Sequence, residues 1–277
     1  MAVVQDVLAT LGKRYSRHTF GESQMDSSGQ TFRENVMLKT LSAAVLGLIC
    51  GSAYAQSVDA PPLKAGDSWV YTDTVETGPQ GFSSKNTLMT VERVDSHSVL
   101  ISAKQDGSNQ PPVETMVGLD WSRSRDINGK QQVINRPLNF PLSEGKTWAV
   151  DYTELNPNRL HSSETFHNDY VVTGWEDVEV PAGKFKALKI EADGQWSAML
   201  APVAVGGAQA VATPGRVTTV STAQRVAARP VSGRLYKAFW YVPAEKRFVK
   251  SVEEFYDTKG VRSQRFTEEL KSSKITG

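Results

Sequence analysis

From Ser68 onward, β-branched and aromatic residues come in short runs, and turn-forming residues separate them roughly every ten positions. The runs are Ser68–Thr74, Thr87–Val94, Ser98–Ala103, Thr115–Trp121, Thr147–Thr153, Phe166–Val172, Phe185–Glu191, Arg216–Val226, Leu235–Val242, Phe248–Tyr256 and Val261–Phe266. Alternation is legible in the first of them, where Trp69 and Tyr71 take one face and Val70 and Thr72 the other. None keeps a three-four apolar spacing for three turns, so little helix is expected. The pattern predicts an all-β fold, a large curved antiparallel sheet that is open or a half-barrel, with a sandwich as the alternative.

Turn chemistry sharpens this picture. In Val178-Glu179-Val180-Pro181-Ala182-Gly183-Lys184-Phe185, Pro181 pre-sets φ for a β-turn and Gly183 suits its close, so two strands meet there as a hairpin. Downstream, Phe185 and Ala187 share one parity while Leu188 and Ile190 share the other, which predicts a bulge near Ala187–Leu188. A second hairpin is expected around Pro243, between Tyr241 and Lys250.

Pro62-Leu63-Lys64-Ala65-Gly66-Asp67-Ser68-Trp69 and Pro141-Leu142-Ser143-Glu144-Gly145-Lys146-Thr147-Trp148 share a P-L-x-x-G-x-[ST]-W pattern. Duplication of a β unit would explain the likeness, as would reuse of one strand-opening turn; so short a match favours the second. Residues 201–215 are uncharged and mostly small, which reads as a flexible apolar loop in the single domain expected over 56–277.

Ahead of that domain, residues 37–55 read as a signal peptide. Lys39 supplies the positive region, Leu41 to Cys50 the apolar run, and Ala53-Tyr54-Ala55 a cleavage site before Gln56. An apolar run of about ten residues is roughly half of what a membrane-spanning helix needs. Residues 1–36 read as an upstream extension from a mis-set start, with Met37 as the initiator. Ile49 before Cys50 is larger than a lipidation site prefers, and cleavage after Ala55 removes Cys50, the single cysteine of the chain. The exported chain is then cysteine-free, and thiolate catalysis and cysteine-ligated metal are excluded. The expected location is the periplasm or exterior of a Gram-negative cell, with no transmembrane span in the mature chain.

Charge narrows the partners further. Of 31 Lys+Arg and 30 Asp+Glu, five basic and four acidic residues precede Gln56, so the exported part is neutral. No field draws it to nucleic acid.

The V-P-A-G-x-F-x-A-L-x-I segment from Val178 to Ile190, the Trp240-Tyr241-Val242-Pro243 hairpin and the two P-L-x-x-G-x-x-W turns resemble those of uncharacterised secreted or periplasmic bacterial β-proteins of domain-of-unknown-function families. The resemblance spans about Lys146 to Asp257. It implies curved antiparallel strands, similar to the half-barrels of lipoprotein carriers, and carries over no catalytic residue.

No nucleophile elbow, metalloprotease helix, phosphate loop or dinucleotide fingerprint is present, so no catalytic residue, cofactor or metal ligand is assigned. His161 and His167 would lie near 20 Å apart on a strand, too far to share a metal. Trp69, Trp121, Trp148, Trp175, Trp196 and Trp240 serve the core or form an aromatic platform. Trp240, Trp196 and Trp148 are the candidate ligand-binding residues; Trp240 should face away from Phe239 and Tyr241 and line a cavity. Pro181, Gly183 and Pro243 are structural. The sequence therefore points to an exported, non-enzymatic protein that binds an apolar small molecule or an envelope protein in a concave sheet. The alternatives are a hydrolase with a glycosidase-like carboxylate pair, or an assembly factor using a free strand edge.

Overall fold

A computed structural model describes residues 57–78, 81–213 and 216–276, with side chains described outside 203–226. The signal-like segment, the upstream extension and Cys50 lie outside the described residues. Residues Ala55–Gly277 form one compact unit.

Its strands are β1 (Ser68–Glu76), β2 (Phe82–Val94), β3 (Ser98–Gln105), β4 (Val113–Gly118), β5 (Arg123–Ile127), β6 (Lys130–Asn135) and β7 (Thr147–Leu155). They continue with β8 (His161–Val180), β9 (Gly183–Leu200), β10 (Val203–Thr213), β11 (Arg216–Val226), β12 (Arg229–Val242), β13 (Arg247–Tyr256) and β14 (Arg262–Lys274). Ten of them make one open antiparallel sheet in the order β4-β3-β2-β1-β14-β13-β12-β9-β8-β7, which the pairing of β1 with β14 knits into one. β5–β6 and β10–β11 are separate two-stranded sheets.

The sheet curves around its inner face. Tyr71 on β1 donates across β14 to the Phe248 carbonyl of β13 at 2.7 Å. The tip of the β8–β9 hairpin reaches back to β14, where the Ala182 amide donates to the Leu270 carbonyl at 2.9 Å. Trp69, Tyr71, Leu188, Ile190, Phe239, Tyr241, Phe248 and Leu270 fill one end of this face as a continuous apolar core.

The strand periodicity and the hairpin at Pro181 are as expected. Pro181 and Ala182 form the two-residue connection, and Gly183 has φ 133°. A Cβ there would meet nothing within 4 Å, so the penalty of a side chain is purely conformational. Gly183→Val should cost about 1–3 kcal/mol, read as a lowered denaturation midpoint. Pro243 opens a 3-10 turn, Pro243–Glu245, which Lys246 closes at φ 55°.

Three expectations need correction. The stretch expected as a loop near 201–215 is a strand over Val203–Thr213, and Arg216–Val226 is its partner. Small uncharged residues made it look loop-like, but alternating Val and Ala suit a ladder once a partner strand lies alongside. The bulge expected at Ala187–Leu188 lies instead on the neighbouring β8, between Val172 and Gly174. β5 and β6 come from a polar stretch with no expected strand; Asn128-Gly129 was its signal. Their φ values of 54° and 81° fit a two-residue hairpin turn.

The two P-L-x-x-G-x-[ST]-W turns are alike in detail. Asp67 and Lys146 donate from the backbone to the Lys64 and Ser143 carbonyls, and Gly66 and Gly145 to the Val91 and Val172 carbonyls on the next strand. The amides of Val91 and Val172 return hydrogen bonds to the Asp67 and Lys146 carbonyls. A bulge follows each of these valines. Likeness reaching into the second strand fits duplication of a β unit, rather than the reuse of a turn alone.

Candidate functional site

Strand register sets the make-up of the inner face. One cross-strand row reads Trp148, Tyr170, Ala192, Lys237, Glu253, Phe266, Val75, from β7 across to β1. The next row, nearer the core, reads Val172, Ile190, Phe239, Ser251, Glu268, Asp73. Facing residues on neighbouring strands share a side, so each row is a continuous stripe. Aromatic rings dominate at β7–β8 and charge dominates at β12–β1.

At the aromatic end, Trp148 stacks on Tyr170 with ring centroids 5.3 Å apart and planes 8° apart. Tyr152 stacks on Phe166 at 4.9 Å. Trp196 lies opposite Phe166 and Gly233 and donates through Nε1 to the Tyr256 carbonyl at 3.2 Å. Gly233 is needed there, because a Cβ would stand 1.9 Å from that carbonyl oxygen and 2.6 Å from the indole nitrogen.

At the charged end, Lys237 is buried and pairs with Glu253 at 2.7 Å. Burial opposes the Lys237 charge, but Glu253 outweighs it and holds the pKa above the usual lysine range. Arg247 is 5% exposed and is surrounded by the rings of Tyr71, Trp121 and Phe248 at 4.3–4.9 Å. Its Nη2 lies 3.9 Å from Glu268.

Asp73 and Glu268 face each other directly across β1 and β14. Thr87 donates to Asp73 at 2.5 Å and Ser251 to Glu268 at 3.1 Å. Burial, with the Glu268 charge adding to it, pushes the Asp73 carboxyl up to about 6. The folded protein therefore takes up a proton between about pH 4 and pH 6 that the unfolded chain does not hold, and stability falls as pH rises through that window. Asp73→Asn should raise stability at pH 7 by about 1–3 kcal/mol, with the gain vanishing below about pH 4. Urea denaturation at the two pH values checks this; a variant less stable than the parent at pH 7 refutes it.

The three candidate tryptophans do not converge. Trp148 and Trp196 share the inner face, but two strand spacings and four residues of rise put them about 16 Å apart. Trp240 points to the outer face. Its neighbours Phe239 and Tyr241 are buried as expected, while Trp240 is half-buried under Lys189 and Lys250, 5.4 and 5.8 Å from its ring centroid. Its Nε1 donates to Glu176 at 2.5 Å. Glu176 and Lys189 also line an open, polar outer recess of about 420 Å³ with Glu144, Thr173, Gly174, Trp175 and Glu191. Trp240 therefore borders this recess and stands away from the concave side. The register shift beside it places the extra residue, Val249, on β13, so the alternation of β12 and this outer placement are unchanged.

The charged residues of these two rows were missed by sequence reading. Asp73, Lys237, Glu253 and Glu268 sit in different strands at ordinary alternating positions, and only register aligns them. The histidines have acidic partners: His161 pairs with Glu164, and His167 lies between Asp151 and Asp169 on the outer face. Hydrogen bonds donated by its ring to Asp151 and Asp169 raise the His167 pKa. Among the described residues, no group of three or more His, Cys, Asp or Glu is placed to hold a metal, and no helix is long and apolar enough to cross a membrane.

No protein-family model and no curated protein matches this chain. Among solved structures it is similar to a candidate lipoprotein of Parabacteroides distasonis, at 14% identity over 79% of this chain and 100% of that one, with a TM-score of 0.42. It is also similar to a candidate exported protein with a YmcC-like fold from Bacteroides fragilis, at 13% identity over 78% and 99%, TM-score 0.34. The hypothetical lipoprotein YmcC of Escherichia coli is similar at 9% identity over 72% and 82%, TM-score 0.27.

Proposed function

We propose that this protein is exported through its signal-like segment and works without catalysis as a binding module of the bacterial envelope, its inner sheet face taking an amphipathic ligand. The observation that carries the reading is the row from Trp148 and Tyr170 to Lys237 and Glu253, where aromatic rings give way to an ion pair within two strands. Ring faces suit an apolar body, and a paired charge offers hydrogen bonds to a polar head. A wholly apolar ligand fits less well, since it would desolvate Lys237 and Glu253 without replacing their water.

A nitroxide-labelled long-chain fatty acid tests this. It should quench tryptophan fluorescence of the mature protein, and Trp196→Ala should remove much of the quenching. Trp240→Ala should leave the quenching intact and cost only about 1 kcal/mol of stability. No quenching in the parent protein, or quenching lost only with Trp240→Ala, overturns the inner-face site. N-terminal sequencing of the periplasmic protein should begin at Gln56.

One observation favours a second reading. Asp73 and Glu268 are inward carboxyls on facing positions, and their Cβ atoms should stand about 4.5–5.5 Å apart. That spacing is near that of the carboxyl pair in a retaining glycosidase. Glycoside hydrolysis abolished by both Asp73→Asn and Glu268→Gln would establish the enzyme instead.

A further inference from the structure

The β5–β6 hairpin is a sheet of its own and adds little to the core. Ile127 is buried outside the core cluster, and Val133 packs on that cluster only in part. Charge and hydrogen bonds hold the hairpin down. Arg125 pairs with Glu154 on the inner face of β7, its guanidinium 5.9 Å from the Tyr152 ring centroid. Arg123 is half-buried, and burial holds its pKa below the usual arginine range against the opposing pull of Glu268 and Glu253. Tyr170 donates to Asn135 at 2.9 Å. At the tip, Asn128 donates to the Thr153 carbonyl at 3.0 Å and accepts from the Leu155 amide at 3.1 Å, occupying the edge of β7 as a strand would.

We propose that the β5–β6 hairpin is a lid over the inner face, latched by Arg125 onto Glu154 and by Asn128 onto the backbone of β7, and that it lifts to admit ligand. The proposal rests on the inner-face binding reading. The rings the hairpin touches, Tyr152 and Tyr170, belong to the aromatic end of the inner face, which a ligand there would meet. Partly exposed ion pairs contribute little each and weaken with salt, so such a latch opens far below the cost of global unfolding. Both ends of the hairpin are anchored. Before it, Trp121 packs edge-on against Trp69 at 5.4 Å and donates to the Lys246 carbonyl at 3.1 Å. After it, Trp148 donates to the Arg136 carbonyl at 3.0 Å. Anchors at both ends make the motion a pivot.

Amide hydrogen exchange on the mature protein tests the latch. Residues 123–135 should exchange at least about 100-fold faster than β12–β14. Half-molar salt or Arg125→Gln should speed them by about tenfold more, leaving β12–β14 unchanged. Exchange as slow as that of the core, or insensitivity to both changes, overturns the proposal. The gate is tested in Arg125→Cys/Glu154→Cys, prepared from the mature chain, whose only cysteines are then the introduced pair. Bridging them with a short bismaleimide should abolish quenching by the nitroxide-labelled fatty acid, while the unbridged variant keeps it. Quenching unaffected by the bridge overturns the lid. Quenching absent from every form, with the exchange pattern as expected, overturns the binding reading instead.

Discussion

Asp67→Ala is expected to cost about 3–5 kcal/mol, because it leaves a buried ammonium without its counter-charge. Asp67 is 0% exposed and joins three distant segments. It accepts from its own turn at the Lys64 amide (2.9 Å), from the β12–β13 turn at Lys246 Nζ (3.0 Å), and from the C-terminal tail at the Thr276 amide (2.7 Å) and hydroxyl. Lys246 also donates to the Thr276 carbonyl at 3.0 Å, which closes the knot. Burial works against the Asp67 charge, yet the bonds from Thr276, Lys64 and Lys246 outweigh it and hold the pKa below the usual range. The stability this group supplies is present above about pH 4 and is lost as pH falls through the lowered folded value. Its acid limb thus runs opposite to the effect of Asp73. Urea denaturation at pH 7 measures the loss; a cost under about 1 kcal/mol would show that the knot is not structural.

The second large effect compares the tryptophans of the two like turns. Trp69→Ala should cost about 3–5 kcal/mol and Trp148→Ala only about 1–2 kcal/mol, although the two open their strands from the same turn. Trp69 is 0% exposed, meets Trp121 edge-on, and donates to the Glu245 carbonyl at 2.9 Å, which its loss would orphan. Trp148 is half-buried on edge strand β7, stacked on one ring. β1 is covered on one side by β14 and on the other by β2, whereas β7 has one strand neighbour, β8. Equal losses in the two denaturation curves would mean that local sequence outweighs place in the sheet.

Much of the fold was legible because strand signals are local. Alternation at Trp69 and Tyr71, and the hairpins at Pro181 and Pro243, rest on backbone preferences that neighbouring residues set. The β5–β6 hairpin escaped notice because its strands are polar. They are held to the inner face by Arg125 on Glu154 and by the Asn128 amide, and such partnerships leave no apolar period. The bulge was inferred on the wrong strand: β9 keeps its alternation through Ala187 and Leu188, which are therefore buried on opposite faces, and the extra residue lies on β8 between Val172 and Gly174.

The site was less legible still. Choosing Trp240 assumed that the face opposite a core pair is the concave one, but the core itself lies on the concave side, so alternation turns Trp240 outward. By itself the sequence determined a mostly β chain, its turns, the signal-like segment and the even charge balance, all properties of short stretches or of composition. The tertiary structure alone decided which strands neighbour one another. From that follow the facing of Asp73 by Glu268, the burial of Lys237 beside Glu253, and the knot of Asp67 with a turn 179 positions away and a tail 209 positions away. Such pairings depend on register between distant strands, where a shift of one residue would turn every one of these side chains to the opposite face.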